Sequence, residues 1–268
     1  MMSIINTNLS SMNAQRNLKT SQNDMNTSIQ RLSSGLRVNS AKDDAAGLSI
    51  ATKMDSQIRG MGQAIRNAND GISMIQTADS GLATAAEAIQ RMRELAVQGS
   101  NASNGTDEYT NLAKEFDELK AEVARISTDT MFNGKAILGG DAGAMDFQVG
   151  ADSGQKISVT FTALAAVTGD VTDQTNSLAA IGTLDSALTA ITSQRATLGA
   201  GQNRMSSAIS NLQSSVENQS AAKSRIMDTD FASETAKMTR AQILQQAGTA
   251  MLAQANQAPN GVMALLRG

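Results

Sequence analysis

Met54–Ala96 reads MDSQIRGMGQAIRNANDGISMIQTADSGLATAAEAIQRMRELA. Its apolar residues advance by alternating steps of four and three: Met54, Ile58, Met61, Ile65, Ala68, Ile72 and Ile75, then Leu82, Ala86, Ile89 and Ala96. Asp79 and Arg93 are the charged interruptions. A seven-residue repeat held over several heptads keeps one stripe facing a partner helix, which is left-handed coiled-coil packing. Two further seams follow. Leu112, Phe116, Leu119, Val123 and Ile126 make a short one. The longest is Leu184, Leu188, Ile191, Leu198, Met205, Ile209, Leu212, Val216 and Ile226, with Arg195, Gln202, Gln219 and Lys223 at its remaining positions. At 1.5 Å per residue, the first and third predicted helices are each about 60–70 Å long. The expected fold is mainly α: an elongated helical-bundle or coiled-coil rod.

Composition supports a thin core. Of 268 residues 41% are hydrophobic, yet aromatics amount to five Phe and one Tyr, with no Trp. Thick globular cores lean on large aromatic side chains, so this one must be built from Ala, Leu, Ile and Met. Cysteine and histidine are absent. Disulfides, thiolate nucleophiles, histidine bases and Cys or His metal sites are therefore excluded, and no HExxH, GxSxG or Walker motif occurs. No enzyme activity, cofactor or metal is expected. With 22 basic against 25 acidic residues and no basic stripe, nucleic acid is not an expected partner. No apolar run approaches a membrane span, and the first 30 residues lack the apolar stretch of a cleavable signal.

The segment 131–175 differs in character. It is Gly-rich, contains FNGK at Phe132–Lys135, and carries two strand candidates, Met145–Val149 and Lys156–Thr162. The intervening GADSGQ is a plausible turn, so a β-hairpin bridge is expected between the long helices. The two ends, 1–35 and 230–268, are helical in pattern but weakly apolar. Leu9, Met12, Ile243, Met251, Leu265 and Leu266 are their main apolar residues. Helices this polar are marginal alone and need a partner surface. Residues 36–44 read as a linker, with Asp43 and Asp44 as caps for the next helix. Adjacent aspartates could suggest metal or acid–base work, but capping explains them. MDTD at Met227–Asp230 resembles half of a calcium loop, yet lacks the glycine an EF-hand needs, and reads as a break between helices.

Together these stretches resemble bacterial flagellin in a short form. The resemblance rests on IINTNLSSMNAQRNL (Ile4–Leu18), RLSSGLRVNSAKDDAAGLSIA (Arg31–Ala51), NDGISMIQTADSGL (Asn69–Leu82), QRMRELAVQ (Gln90–Gln98), MFNGKAIL (Met131–Leu138), FQVGA (Phe147–Ala151), SQRATLGAGQNR (Ser193–Arg204), SRIMDTDFA (Ser224–Ala232) and ILQQAGTAMLAQANQ (Ile243–Gln257). The variable outer domains of long flagellins are missing. The resemblance implies a homopolymer, with 1–35 and 230–268 as an inner helical pair lining the filament and 45–229 as the tube around it. The assembly residues would then be Leu9, Met12, Ile243, Met251, Leu265 and Leu266. The rod seam would be Ile65, Ile72, Ile75, Leu188, Ile191, Leu198, Met205, Ile209, Leu212 and Val216. It also implies unfolded export through the flagellar type III apparatus, an export chaperone at the C-terminal helix, and contacts with hook-associated and cap proteins. Arg91, Leu95 and Glu115 match the residues through which receptor-activating flagellins contact Toll-like receptor 5. An exposed Leu ringed by Arg and Glu makes a compact hot spot. The plainer reading is an ordinary helix surface with a Glu87–Arg91 pair. Two alternatives share the helices: a hook–filament junction protein, and a coiled-coil signalling rod of chemoreceptor type. The second gives no reason for the β bridge.

Overall fold

The computed structural model describes residues 7–267, with side chains as far as Gln257. The elements are α1 (Leu9–Ser34), α2 (Ala45–Gly99), α3 (Thr106–Asp129), β1 (Met131–Phe132), β2 (Lys135–Ala136), β3 (Ala144–Gln148), β4 (Lys156–Thr160), α4 (Gln174–Met227) and α5 (Phe231–Arg267). They form two compact units. One is Gln57–Glu217; the other joins the residues up to Ser56 with those from Asn218 onward.

In the Gln57–Glu217 unit, α2 and α4 are antiparallel. Gly71 lies against Met205 and Gly99 against Ser177, while Asp79 pairs with Arg195 and Arg93 with Asp185. Half of the expected α2 seam is buried as read: Met61, Ala68, Ile75, Leu82, Ile89 and Ala96. The other half is displaced by one residue. The buried column is Ala64, Gly71, Ala78, Ala85, Met92 and Gly99, not Ile65, Ile72, Asp79, Ala86 and Arg93. On α4 the shift is partial. Leu184, Ile191, Leu198, Met205 and Leu212 are buried, with Ala180 and Gly201 buried beside them; Ala187 and Leu188, like Ala208 and Ile209, are half-buried alike, and Arg195 is exposed.

The physical cause is close approach. Small residues in the second column let neighbours come against the helix backbone. A Cβ added at Gly71 would lie 2.7 Å from the Met205 Cε; outside that column, one at Gly81 would lie 2.7 Å from the Thr130 Oγ1 and 2.9 Å from a Leu138 methyl. The larger residues of the displaced column flank the seam instead. Ile72 and Leu188 are half-buried against the main core, Ile65 and Val216 pack beside Met61, Ala64 and Leu212, and Ile209 is half-buried. The charged interruptions are therefore not buried register devices. Arg195 is an edge residue that donates to the Asp79 Oδ1 at 2.7 Å, and Arg93 donates to the Asp185 Oδ1 at 2.6 Å. Exposed pairs of this kind contribute about 0–1 kcal/mol each, so they favour the pairing without carrying the fold.

Helix α3 buries Leu112, Phe116, Val123 and Ile126 in the same core, with Leu119 packed at its edge. The bridge follows. β1 and β2 form a small hairpin around Asn133 (φ 49°) and Gly134 (φ 78°), the two left-handed positions of a type I′ turn. β3 and β4 pair antiparallel with Phe147 opposite Ile157 and Met145 opposite Val159. The second strand ends at Thr160, short of the expected Thr162, although the Phe161 N–H still donates in register to the Gly143 carbonyl at 2.9 Å. Beyond it, Phe161, Val167 and Val171 are buried although 161–173 has no regular structure.

In the other unit, α1 is capped by Asn8, whose side chain accepts from the Ser11 N–H, and ends at Gly35 in the left-handed region (φ 70°). Residues 36–44 are tied down. Leu36 bridges to Asp228, the Arg37 N–H donates to the Met227 carbonyl, and the Thr229 N–H donates to the Gly35 carbonyl. The α4–α5 break at MDTD is thus clasped to the α1–α2 break. Asp230 caps α5 through the Ala232 and Ser233 N–H groups. Only one of the two expected α2 caps acts as such. Asp44 accepts from the Gly47 N–H at 2.8 Å, whereas Asp43 turns back onto Ser40 and Asn39. Lys223, expected in the long seam, is ion-paired with Asp55.

Candidate interaction surfaces

Helices α1 and α5 pack antiparallel, and their contact mixes buried Ser11, Ser28, Glu234 and Ala241 with half-buried Leu18, Met25, Leu32, Met238 and Leu252. Asn8 donates to the Ala255 carbonyl at 2.7 Å, Ser11 to the Asn256 side chain at 2.7 Å, and Ser28 to the Glu234 Oε1 at 2.7 Å. Gly248 admits Leu18. The large apolar residues expected to serve assembly lie outside this contact. Leu9 is 61% exposed, Ile243 60% and Met251 60%, and Met12 and Leu244 are also exposed. Leu9, Met12, Ile243 and Met251, the expected assembly residues, thus stay open to solvent in the single chain, where a neighbouring subunit can cover them. Leu265 and Leu266 lie outside the residues whose side chains are described. What results is a helix pair that leaves a row of large apolar side chains outward, including Phe231 at the start of α5. Such a contact can hold two helices together and still leave apolar surface for a partner to bury.

Glu234 is the residue this contact turns on, and sequence reasoning passed over it. Lys237 three positions later was the only local signal. It is 4% exposed and sits among Ser28, Arg31 and Lys237, with the Lys237 Nζ at 3.2 Å and the Arg31 Nη1 at 3.9 Å. Burial pushes its pKa up. The Ser28 hydroxyl, the Lys237 hydrogen bond and charge, and the Arg31 charge outweigh that and hold it below the ordinary glutamate value. A depressed carboxylate stabilises the folded state above its unfolded pKa, and that contribution is lost as pH falls through the lower folded value. Acidification below the usual glutamate range should therefore loosen α1 from α5, read as faster amide exchange in both helices. Glu234→Gln should flatten this acid dependence and weaken the contact by about 1–3 kcal/mol at neutral pH.

The second surface joins α2 to α3. Arg91 reaches Glu115 through Nε at 2.9 Å and Nη2 at 2.8 Å, and also bonds Glu94 through Nη1 at 2.9 Å. The expected Glu87 partner is replaced by these two. Arg91 and Glu115 are about half exposed and Glu94 more so. Leu95 is not: at 1% exposure it belongs to the core, on the helix face below Arg91. The picture of an exposed leucine ringed by charge is corrected accordingly. Position 95 falls beside the displaced seam column, where α2 buries nearly everything it presents.

Neither surface has the makings of a catalytic or metal centre. Among the described residues no group of three or more His, Cys, Asp or Glu could hold a metal ion, and no helix is long and apolar enough to cross a membrane.

Residues 5–142 match the bacterial flagellin N-terminal helical region and residues 181–266 match the bacterial flagellin C-terminal helical region. A flagellin of Halalkalibacterium halodurans is 48% identical over 273 residues, covering 98% of this chain and 100% of that protein. The flagellar filament 33 kDa core protein of Treponema phagedenis is 43% identical over 285 residues, with 98% and 100% covered. Among solved structures, a crystal structure of Bacillus cereus flagellin superposes with a TM-score of 0.52 at 30% identity. It covers 59% of this chain and 94% of that one.

Proposed function

Because the chain belongs to the bacterial flagellin family, we infer that it is a structural subunit that polymerises with copies of itself into an extracellular flagellar filament, and that it is not an enzyme. The observation that carries the assembly reading is the outward apolar row of α1 and α5: Leu9, Met12, Phe231, Ile243, Leu244 and Met251. Surface of this kind gains roughly 25 cal/mol for each Å² that a neighbouring subunit covers. Purified protein seeded with filament fragments should lengthen them, as seen by electron microscopy. A protein that left the seeds unchanged would not be a filament subunit, and a signalling rod or junction protein would then be the better reading.

The finer parts of the proposal concern traffic and partners. The subunit is exported through the flagellar type III apparatus and kept from premature assembly by a chaperone on α5, which carries the exposed Phe231, Ile243, Leu244 and Met251. It contacts hook-associated and cap proteins at the ends of the filament. A host innate receptor, Toll-like receptor 5, reads the α2–α3 surface. In this reading Arg91 and Glu115 are the groups it touches, and Leu95 holds the helix face beneath them in place. Arg91→Ala and Glu115→Ala should each lower reporter-cell activation by soluble monomer at unchanged thermal stability. Leu95→Ala should lower activation and also destabilise the core by about 2–5 kcal/mol. An unmodified monomer that fails to activate the reporter removes the receptor from the proposal and leaves the filament subunit untouched.

A further inference from the structure

Two of the chain's Asn-Gly steps lie where side chains are described, and they stand in opposite settings. Asn133–Gly134 is the centre of the β1–β2 turn, with φ of 49° and 78° and the pairs Phe132–Lys135 and Met131–Ala136 closing it. Asn104–Gly105 ends the loop between α2 and α3. Asn-Gly is the step at which an asparagine side chain most readily reacts with its own backbone, because glycine places no side chain in the way. We propose that Asn104 is a site of spontaneous deamidation in the folded protein and that Asn133 is protected.

The reaction is intramolecular. The Gly105 nitrogen attacks the Asn104 Cγ and forms a C–N bond. The nitrogen gives up its proton, and the Cγ–Nδ2 bond breaks as ammonia leaves, closing a five-membered succinimide. Water then adds to one of the two ring carbonyls and opens the ring to aspartate or isoaspartate. Asparagine and water give acid and ammonia, with no oxidant or cofactor.

Ring closure requires rotation about the Asn Cα–C bond until the side chain lies beside the next nitrogen. At Asn133 that rotation would undo the type I′ turn, which fixes both dihedrals, and with it the hairpin. At Asn104 the restraints are a few bonds within a largely exposed segment, the Tyr109 N–H donating to the Gly105 carbonyl at 3.1 Å among them. The Asn104 N–H donates to the Asn101 carbonyl at 3.2 Å, its Nδ2 donates to the Gln98 carbonyl at 2.7 Å, and the Gly105 N–H donates to the Glu108 Oε2 at 3.0 Å. Loop bonds of this kind open at far lower cost than the core.

The modification changes the junction it occurs in. The Asn104 amide satisfies a carbonyl in the last turn of α2. A carboxylate there cannot donate, and places negative charge at the negative end of that helix. Isoaspartate also lengthens the backbone by one carbon just where Gly105 opens α3.

The test is to hold full-length protein at mildly alkaline pH. Peptide mass mapping then follows conversion at each site, with enzymatic isoaspartate labelling as a second readout. In folded protein the Asn104 peptide should convert at least about tenfold faster than the Asn133 peptide. In urea the two should converge, since both are then the same dipeptide in an open chain. Asn104→Gln and Gly105→Ala should each suppress the fast site, leaving the melting temperature to report any loss of fold. Equal rates in the folded protein, faster reaction at Asn133, or no reaction at Asn104 would overturn the proposal.

Discussion

Ala78→Asp should unfold the Gln57–Glu217 unit at room temperature, while Asp79→Ala, one residue along, should barely register. Ala78 is fully buried in the column where α2 meets its neighbours, and its methyl group leaves no room for a carboxylate or its water. An unpaired charge forced into that position costs several kcal/mol, comparable to the whole stability of an ordinary domain. Asp79 points along the edge to Arg195, both partners being nearly half exposed, and an exposed pair contributes about 0–1 kcal/mol. Urea titration followed by far-ultraviolet circular dichroism measures both. The heptad reading from Met54 placed position 79 in the seam, so the pair of variants also tests which column is inside. If Asp79→Ala were the damaging change, the original column would be right.

That displaced column shows where the sequence was legible and where it was not. Period, helix number and the hairpin bridge were readable, because Leu, Ile and Met at heptad spacing carry a strong signal. The two long helices were read short, since α2 has 55 residues and α4 has 54, about 80 Å each. Helix α2, however, buries two columns, and the second is largely alanine and glycine. Small residues register as hydrophobic only weakly, so on α2 Ile65 and Ile72, larger and one position over, attract the assignment. Gly71, Gly81 and Gly201 mark close approaches whose partners (Met205, Thr130 and Val159) are far away in sequence. The burial of Val167 and Val171 was equally hidden, since an irregular segment has no period to detect. At the ends, sequence reasoning picked out large apolar residues for assembly and passed over the polar groups that join the two helices within the chain. The polar part of that contact uses Ser11, Ser28 and Glu234, because a single carboxylate bonded by a hydroxyl and flanked by two cations is well satisfied in a narrow interface.

Ile243→Asp together with Met251→Asp should abolish filament growth and leave the monomer's fold as it was. Both side chains are 60% exposed in the chain, so a carboxylate at either place meets water and takes nothing from the α1–α5 contact. Within a polymer that covers these positions, each carboxylate loses its water and finds no partner. The penalty is several kcal/mol per subunit added. Since about 1.4 kcal/mol is a factor of ten in an association constant, a loss of even 4 kcal/mol raises the concentration needed for growth roughly a thousandfold. Seeded elongation should then stop at concentrations where the unmodified protein lengthens every seed. Circular dichroism and thermal melting of the two monomers should superpose. Ala241→Asp supplies the contrast. Ala241 is almost wholly buried in the same unit, so its aspartate should disturb the monomer itself, visible as lost helicity before any seed is added. Normal growth of the double aspartate variant would place the polymer contact elsewhere. The outward row on α5 would then have to be assigned to a partner that binds the subunit before it joins the filament.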